Sequence, residues 1–213
     1  MSAPRVTVLD FGIGNLYSVC RAVEKSGASV ELVDKCPRAD QVERLLLPGV
    51  GAFAKCLDAM RRYGAVDLAR EFALTGRPLL GICVGMQALF EIGEEFGEHQ
   101  GIGLIAGRVK QLQPAAGNNA FKLPHIGWAP LECPRPGRWG SSPLRSVKPG
   151  EFAYFVHSYH GLPDDPEAVL ATTTYDGTKV TAAVIKENVT GVQFHPERSG
   201  PVGLKIMESF VHS

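Results

Sequence analysis

Gly81-Ile82-Cys83-Val84-Gly85 is the segment whose residue types and spacing speak most directly of chemistry. A cysteine flanked two residues either side by glycine, where a strand runs into a helix, is a Gly-x-nucleophile-x-Gly elbow with a thiol in place of a hydroxyl. The sharp turn holds the nucleophile in a strained backbone conformation, and the small flanking residues let neighbouring backbone pass close by. The following helix points its free N–H groups and positive dipole end at the sulfur, which favours the thiolate. The Val84 N–H is then a ready oxyanion donor. Taken alone, a free cysteine at a strand end is usually a small inert hydrophobe, so the elbow needs a partner.

Among the six histidines, His195 is the best placed to supply one. It follows the strand-like Gly191-Val-Gln-Phe194 at its C-terminal end, where open α/β sheets build their sites. Pro196 biases His195 toward an extended conformation. If that extension continues, His195 and Glu197 share one side, as residues i and i+2 of a strand do. A carboxylate beside the imidazole would orient it and stabilise its charged form, giving a Cys83–His195–Glu197 triad. An isolated strand-end histidine beside a glutamate is more often structural, so the conjunction carries the argument.

Other motifs are weaker. Gly12-Ile13-Gly14-Asn15 begins like a dinucleotide fingerprint, but Tyr17 stands where the third glycine belongs, and a tight strand-to-helix turn reads better. His157 and His160 are three apart with no evident third ligand, so no metal site is implied. Arg61-Arg62 reads as a solvated helix face, without the aromatic and basic interleaving of a nucleic-acid binder. Trp128 reads as a core or edge aromatic.

The elements that must position these groups alternate in the first half. Strands are expected at 5–9, 29–33, 44–48 and 77–82, with helices over 15–26, from Pro37, over 53–62, 65–74 and 84–90. Continuous apolar strands alternating with helices predict a mostly parallel sheet covered on both faces. The second half changes to strand-like segments at 104–112, 152–158, 169–175, 179–186 and 191–194, separated by Gly, Pro, Asn and Asp turns such as Asp176-Gly177. It predicts an antiparallel extension or second sheet, with a closing helix over 200–211. The loops at 114–119 and 134–143 read as the most mobile. One α/β domain over 1–213 is expected.

Composition sets the outer limits. The 213 residues are 45% hydrophobic and 21% charged, ordinary globular values. Lys and Arg number 22 and Asp and Glu 22, so the net charge is zero, which argues against a polybasic nucleic-acid or membrane binder. No apolar run approaches the roughly 18 residues of a membrane span. The apolar run 6–9 is too short for a signal peptide, so a reducing, cytoplasmic setting is expected. The five cysteines are odd in number and lack a Cys-x-x-Cys pair, so neither a disulfide framework nor a zinc ribbon is suggested. The Asn188-Val-Thr190 sequon then reads as chance.

Taken together, Pro48-Gly-Val-Gly51, Gly81-Ile-Cys-Val-Gly-Met-Gln87 and His195-Pro-Glu197 resemble the class I (triad) glutamine amidotransferases, in that family's order. Asp10-Phe-Gly-Ile-Gly-Asn-Leu16, Pro124-His-Ile-Gly-Trp128, Tyr154-Phe-Val-His-Ser-Tyr159 and His195-Pro-Glu-Arg-Ser199 are similar, more narrowly, to the branch that serves as glutaminase subunits of imidazole glycerol phosphate synthases. The likeness runs along essentially the whole chain. It implies that Cys83 attacks the amide of L-glutamine while His195, oriented by Glu197, moves the protons. It implies oxyanion donors from Val84 and from Gly49-Val50-Gly51, the latter misaligned until a partner and its substrate bind. It assigns glutamine contacts to Gly85, Gln87, Glu95 and the backbone near Ser158 and Tyr159, and partner contacts to Asn15 and Trp128. It implies no cofactor, no metal and no nucleic acid or membrane partner. It does imply a heterodimer with a (β/α)₈-barrel cyclase that receives the ammonia. The cyclase would use it to make imidazole glycerol phosphate and an aminoimidazole carboxamide ribotide. Three positions depart from the pattern: Ala129, His160 and Ser209. Other readings are a triad amidotransferase with another acceptor, as in anthranilate or pyridoxal phosphate synthesis, a cysteine hydrolase, or an inactive regulatory subunit.

Overall fold

The computed structural model describes residues 3–12, 15–115 and 121–213. Along the chain run β1 (Arg5–Leu9), α1 (Leu16–Lys25), β2 (Ser29–Val33), β3 (Leu45–Leu47), α2 (Phe53–Arg62), α3 (Ala65–Ala73), β4 (Leu79–Ile82) and α4 (Val84–Ala88). Then come β5 (Phe90–Gly93), β6 (His99–Gln100), β7 (Ile105–Gln111), β8 (His125–Pro130), β9 (Phe152–His157), β10 (Tyr159–Pro163), β11 (Val169–Tyr175), β12 (Thr178–Lys186), β13 (Val189–Val192) and α5 (Gly200–Val211).

A seven-stranded sheet in the order β11-β12-β13-β4-β3-β1-β2 forms the centre. From β13 to β2 every pairing is parallel, while β11-β12 and β12-β13 are antiparallel. The mostly parallel sheet and its antiparallel extension therefore agree with the sequence. The central strands are apolar throughout because helices cover both faces: Val6, Val8, Leu45, Leu46, Leu47 and Leu80 are fully buried. The chain moves one way from β1 to β2 and the other way from β3 to β4. Right-handed crossovers therefore put α1 on one face and α2–α3 on the other, and α1 packs with α5 while α2 packs with α3 and α4. The β11–β12 hairpin turns through Asp176 and Gly177, both at positive φ (47° and 81°), the pattern of a type I′ turn. A four-stranded sheet (β10-β7-β5-β6) and the β8–β9 ribbon complete the fold.

Several expectations are corrected. The helix anticipated from Pro37 is only a single 3₁₀ turn, Ala39–Gln41. The Gln41 side chain accepts from the Arg38 N–H (3.2 Å), and Val42 then enters the core, so no second turn forms. The helix after Cys83 ends at Ala88, because Phe90 enters a strand and pairs with Ile105. The expected mobile loop at 134–143 is pinned: Trp139 is buried and its indole Nε1–H donates to the Leu170 carbonyl at 2.7 Å. Most of the loop at 114–119 lies outside the described residues, as do Ile13 and Gly14 of the glycine turn. Among the described residues no helix is long and apolar enough to cross a membrane. No group of three or more His, Cys, Asp or Glu side chains among them could hold a metal ion.

Besides His195, three histidines are buried in the second half. His125 stacks between Phe155 and Tyr175 and bonds His157 through Nδ1···Nε2 at 3.2 Å. His157 Nδ1 lies 2.8 Å from the Tyr159 carbonyl, and His160 accepts the Thr181 N–H at 3.4 Å. Burial pushes His125 and His160 down to about 4 and His157 to about 3 from the ordinary 6.5. A depressed histidine is neutral in the fold and takes its proton on unfolding, so stability is complete above about pH 6.5 and falls as pH drops below it. His160→Phe, which removes one such group, should flatten the slope of unfolding free energy against pH between 6.5 and 5 by up to about 1.4 kcal/mol per pH unit. Urea melts of both proteins across that range check it; an unchanged slope counts against it.

Candidate active site

Four segments that follow the C-terminal ends of parallel strands converge on one cavity of about 360 Å³. Asn15 comes after β1, Val50 and Gly51 after β3, Cys83 and Val84 after β4, and His195 and Glu197 after β13. Gln87, Glu95, Ser158 and Tyr159 also line it. Of the positions singled out in the sequence, Gly49, Gly85 and Trp128 are not in its wall.

Cys83 sits at φ 54°, ψ −113°, a left-handed strain that only the surrounding structure can hold. Its N–H donates to the Val192 carbonyl at 2.8 Å, which ties the elbow to β13. Gly85 explains itself sterically: a Cβ there would fall on the backbone carbonyl of Leu47, so only glycine lets α4 start this close to β3. It shapes the elbow from behind rather than facing the cavity.

His195 is extended (φ −102°, ψ 96°), as its proline neighbour requires. The extension does not continue. Pro196–Arg198 form a 3₁₀ turn, and Glu197 comes round that turn to place Oε1 2.7 Å from His195 Nδ1. The pairing thus arises by a different local geometry from the strand alternation anticipated above. The Ser199 hydroxyl clamps it, donating to the His195 carbonyl at 2.6 Å and accepting the Tyr154 N–H at 2.9 Å. A Cβ on Gly203 would strike the Pro196 backbone, so glycine also lets α5 seat against the turn. The Glu197 side chain is 3% exposed and its Oε2 has no hydrogen-bond partner among the described residues, so its charge is directed at the imidazole. Burial works against a charged His195, but hydrogen bonding and charge from Cys83 and Glu197 outweigh it and raise the group to about 10. The arrangement therefore favours the imidazolium form of His195 at neutral pH.

The Val84 N–H, expected as an oxyanion donor, is spent here on the Gly49 carbonyl at 3.3 Å. The hole is plugged by the segment that was to supply its second donor. Glu95 Oε2 accepts the Phe53 N–H at 2.6 Å, at the start of α2. Gln87 donates to the Tyr159 carbonyl and to Gln193 Oε1, both at 3.0 Å. Asn15 caps α1 through the Ser18 N–H at 3.4 Å. Trp128 is 54% exposed on the β8–β9 ribbon, edge-to-face with Tyr154. His157 and Arg198, given no site role in the sequence reading, also line the cavity. Gln193 was missed altogether: it is fully buried, and its Nε2–H donates to Cys83 Sγ at 3.7 Å. Its place two residues before His195, across from the elbow, was the available signal.

Comparison with known proteins adds an independent line. The family described as Glutamine amidotransferase class-I matches residues 7–213. The imidazole glycerol phosphate synthase subunit HisH 1 of Legionella pneumophila (strain Lens) is 42% identical over 209 residues, covering 97% of this chain and 98% of that protein. The HisH subunit of Synechococcus sp. (strain JA-3-3Ab) is 40% identical over 213 residues, covering 99% and 94%. In fold, a chain of the solved PurLQS structure from Thermotoga maritima superposes with a TM-score of 0.76 at 22% identity, covering 99% of both chains.

Proposed function

This chain belongs to the class-I glutamine amidotransferase family, and from that premise we propose that Cys83, His195 and Glu197 release ammonia from L-glutamine for a cyclase subunit. The chain is the glutamine amidotransferase subunit of imidazole glycerol phosphate synthase, an enzyme of histidine biosynthesis. The observation that carries the catalytic reading is a strained cysteine sharing one cavity with a buried imidazole–carboxylate pair at 2.7 Å.

Cys83 Sγ attacks the side-chain amide carbon of glutamine, and the negative charge moves to the amide oxygen. His195 gives its proton to the departing nitrogen, which leaves as neutral ammonia. The acyl group stays on sulfur as a glutamyl thioester. His195, neutral again and held by Glu197, takes a proton from water as that water attacks the thioester. Collapse returns the thiolate–imidazolium pair and frees glutamate. The Val84 and Val50 N–H groups serve the oxyanion once the Gly49 carbonyl has turned away. Glu95, Gln87 and the Ser158–Tyr159 backbone hold the substrate.

A partner follows from the product. Ammonia released into neutral water is protonated and ceases to be a nucleophile, so a dry path to the acceptor preserves it. The β8–β9 ribbon offers the docking face. Its cross-strand pairs Ile126–Val156, Trp128–Tyr154 and Pro130–Phe152 lie on one face, where Ile126, Trp128 and Phe152 are 59%, 54% and 52% exposed. Pro124 and Val156 of the same region line the cavity. This supports a (β/α)₈-barrel cyclase covering the site mouth, with Asn15 and Trp128 at the contact.

The test is isotopic. With amide-¹⁵N glutamine, cyclase, its ribonucleotide substrate and excess unlabelled ammonium, imidazole glycerol phosphate should carry ¹⁵N. Product that follows the unlabelled pool would refute delivery within the complex.

A further inference from the structure

We infer that Gln193 is a positioning residue for the nucleophile: its side-chain amide donates to the Cys83 sulfur and holds it as an aimed thiolate. The inference rests on the reading of Cys83 as the nucleophile.

Gln193 is fixed at both ends. Its backbone N–H donates to the Ala182 carbonyl at 2.8 Å, so the antiparallel neighbour sets its height. Because β13 is parallel to β4 with Val192 opposite Ile82, the next residues, Gln193 and Cys83, emerge side by side. The orientation of the amide is not a free choice. A main-chain carbonyl can only accept, so the Gln87 group 3.0 Å from the Tyr159 oxygen must be its NH₂. That same NH₂ faces Gln193 at 3.0 Å and requires a carbonyl there. Gln193 therefore presents Oε1 to Gln87 and Nε2–H to the sulfur at 3.7 Å.

A thiol sulfur is a weak acceptor and a thiolate a strong one, so an N–H aimed at sulfur favours the charged form. Gln193 is fully buried, so its donor reaches the sulfur from within the core. The relay also reaches the Tyr159 carbonyl, beside the backbone expected to grip the glutamine α-carboxylate. Nucleophile and substrate cradle are thus tied by two amides.

The experiment follows carbamidomethylation of Cys83 by iodoacetamide across pH, read by mass spectrometry on the Cys83 peptide of the full chain. Gln193→Met keeps the length and bulk but has no donor. Its pH of half-maximal rate should rise by about one unit. Gln87→Met leaves the Gln193 amide free to rotate and should shift the midpoint the same way by less. If both midpoints coincide with the wild type, the inference is overturned, because a merely space-filling Gln193 changes rates without moving the profile. If Gln193→Met does not fold, Gln87→Met alone decides. If wild-type Cys83 itself resists alkylation at every pH, the nucleophile assignment falls, and this inference with it.

Discussion

Cys83→Ala should reduce glutamate release by at least about 10³–10⁴-fold while leaving the fold and the complex in place. The structure explains both halves. Cys83 is nearly fully buried, and alanine removes one sulfur from a turn whose shape is set by backbone. The Val192 carbonyl still receives the residue 83 N–H, and Leu47 still packs on Gly85. What is lost is the sulfur that forms the acyl intermediate, and water activated by His195 is a far weaker nucleophile toward an unactivated amide than a thiolate. Glu197→Gln should cost less, because the imidazole remains near the sulfur. It still loses the charge that favours imidazolium, and a reduction of about 10²–10⁴-fold is expected. Activity in Cys83→Ala within tenfold of wild type would remove the thioester from the mechanism.

Val50→Pro should remove most of the stimulation expected from the proposed cyclase and its ligand. In the isolated chain the Gly49 carbonyl occupies the Val84 N–H at 3.3 Å, so a donor needed in the transition state is already committed. Turning the Gly49–Val50 peptide over would withdraw that carbonyl and bring the Val50 N–H into the cavity. Gly49 and Gly51 border the peptide, and Gly51 is at φ 84°, so the segment carries little side-chain resistance to the turn. Each oxyanion donor is worth about 10²–10³ in rate, so this turn alone is a sufficient switch. Proline has no N–H to offer. The ratio of stimulated to basal rate should therefore fall by about 10²-fold in the variant. An undiminished ratio would show that the switch lies elsewhere.

What was legible in the sequence was local. The elbow needs five consecutive residues, and the His195-Pro-Glu197 pair needs three. The parallel half of the fold was legible because its apolar strands and amphipathic helices alternate within short windows. The rest depends on residues far apart. Glu197 reaches His195 through a 3₁₀ turn that is favoured because Ser199 bridges the His195 carbonyl and the Tyr154 N–H. Gln193 acquires meaning only when β13 is laid beside β4 and Gln87 arrives from α4. The plugging of Val84 by Gly49 depends on how closely β3 approaches the elbow, which Gly85 permits without announcing it. Trp139 similarly turned an expected mobile loop into a packed one through a hydrogen bond to Leu170, 31 residues away.

The most direct test of the central claim is glutamate release from glutamine by the purified chain in three mixtures: alone, with the cyclase, and with the cyclase plus its ribonucleotide ligand. The plugged oxyanion hole and the exposed ribbon predict near-silence alone and a rise of about 10²–10³-fold in the full mixture. A high rate from the isolated chain, or no response to the cyclase and its ligand, would contradict the account.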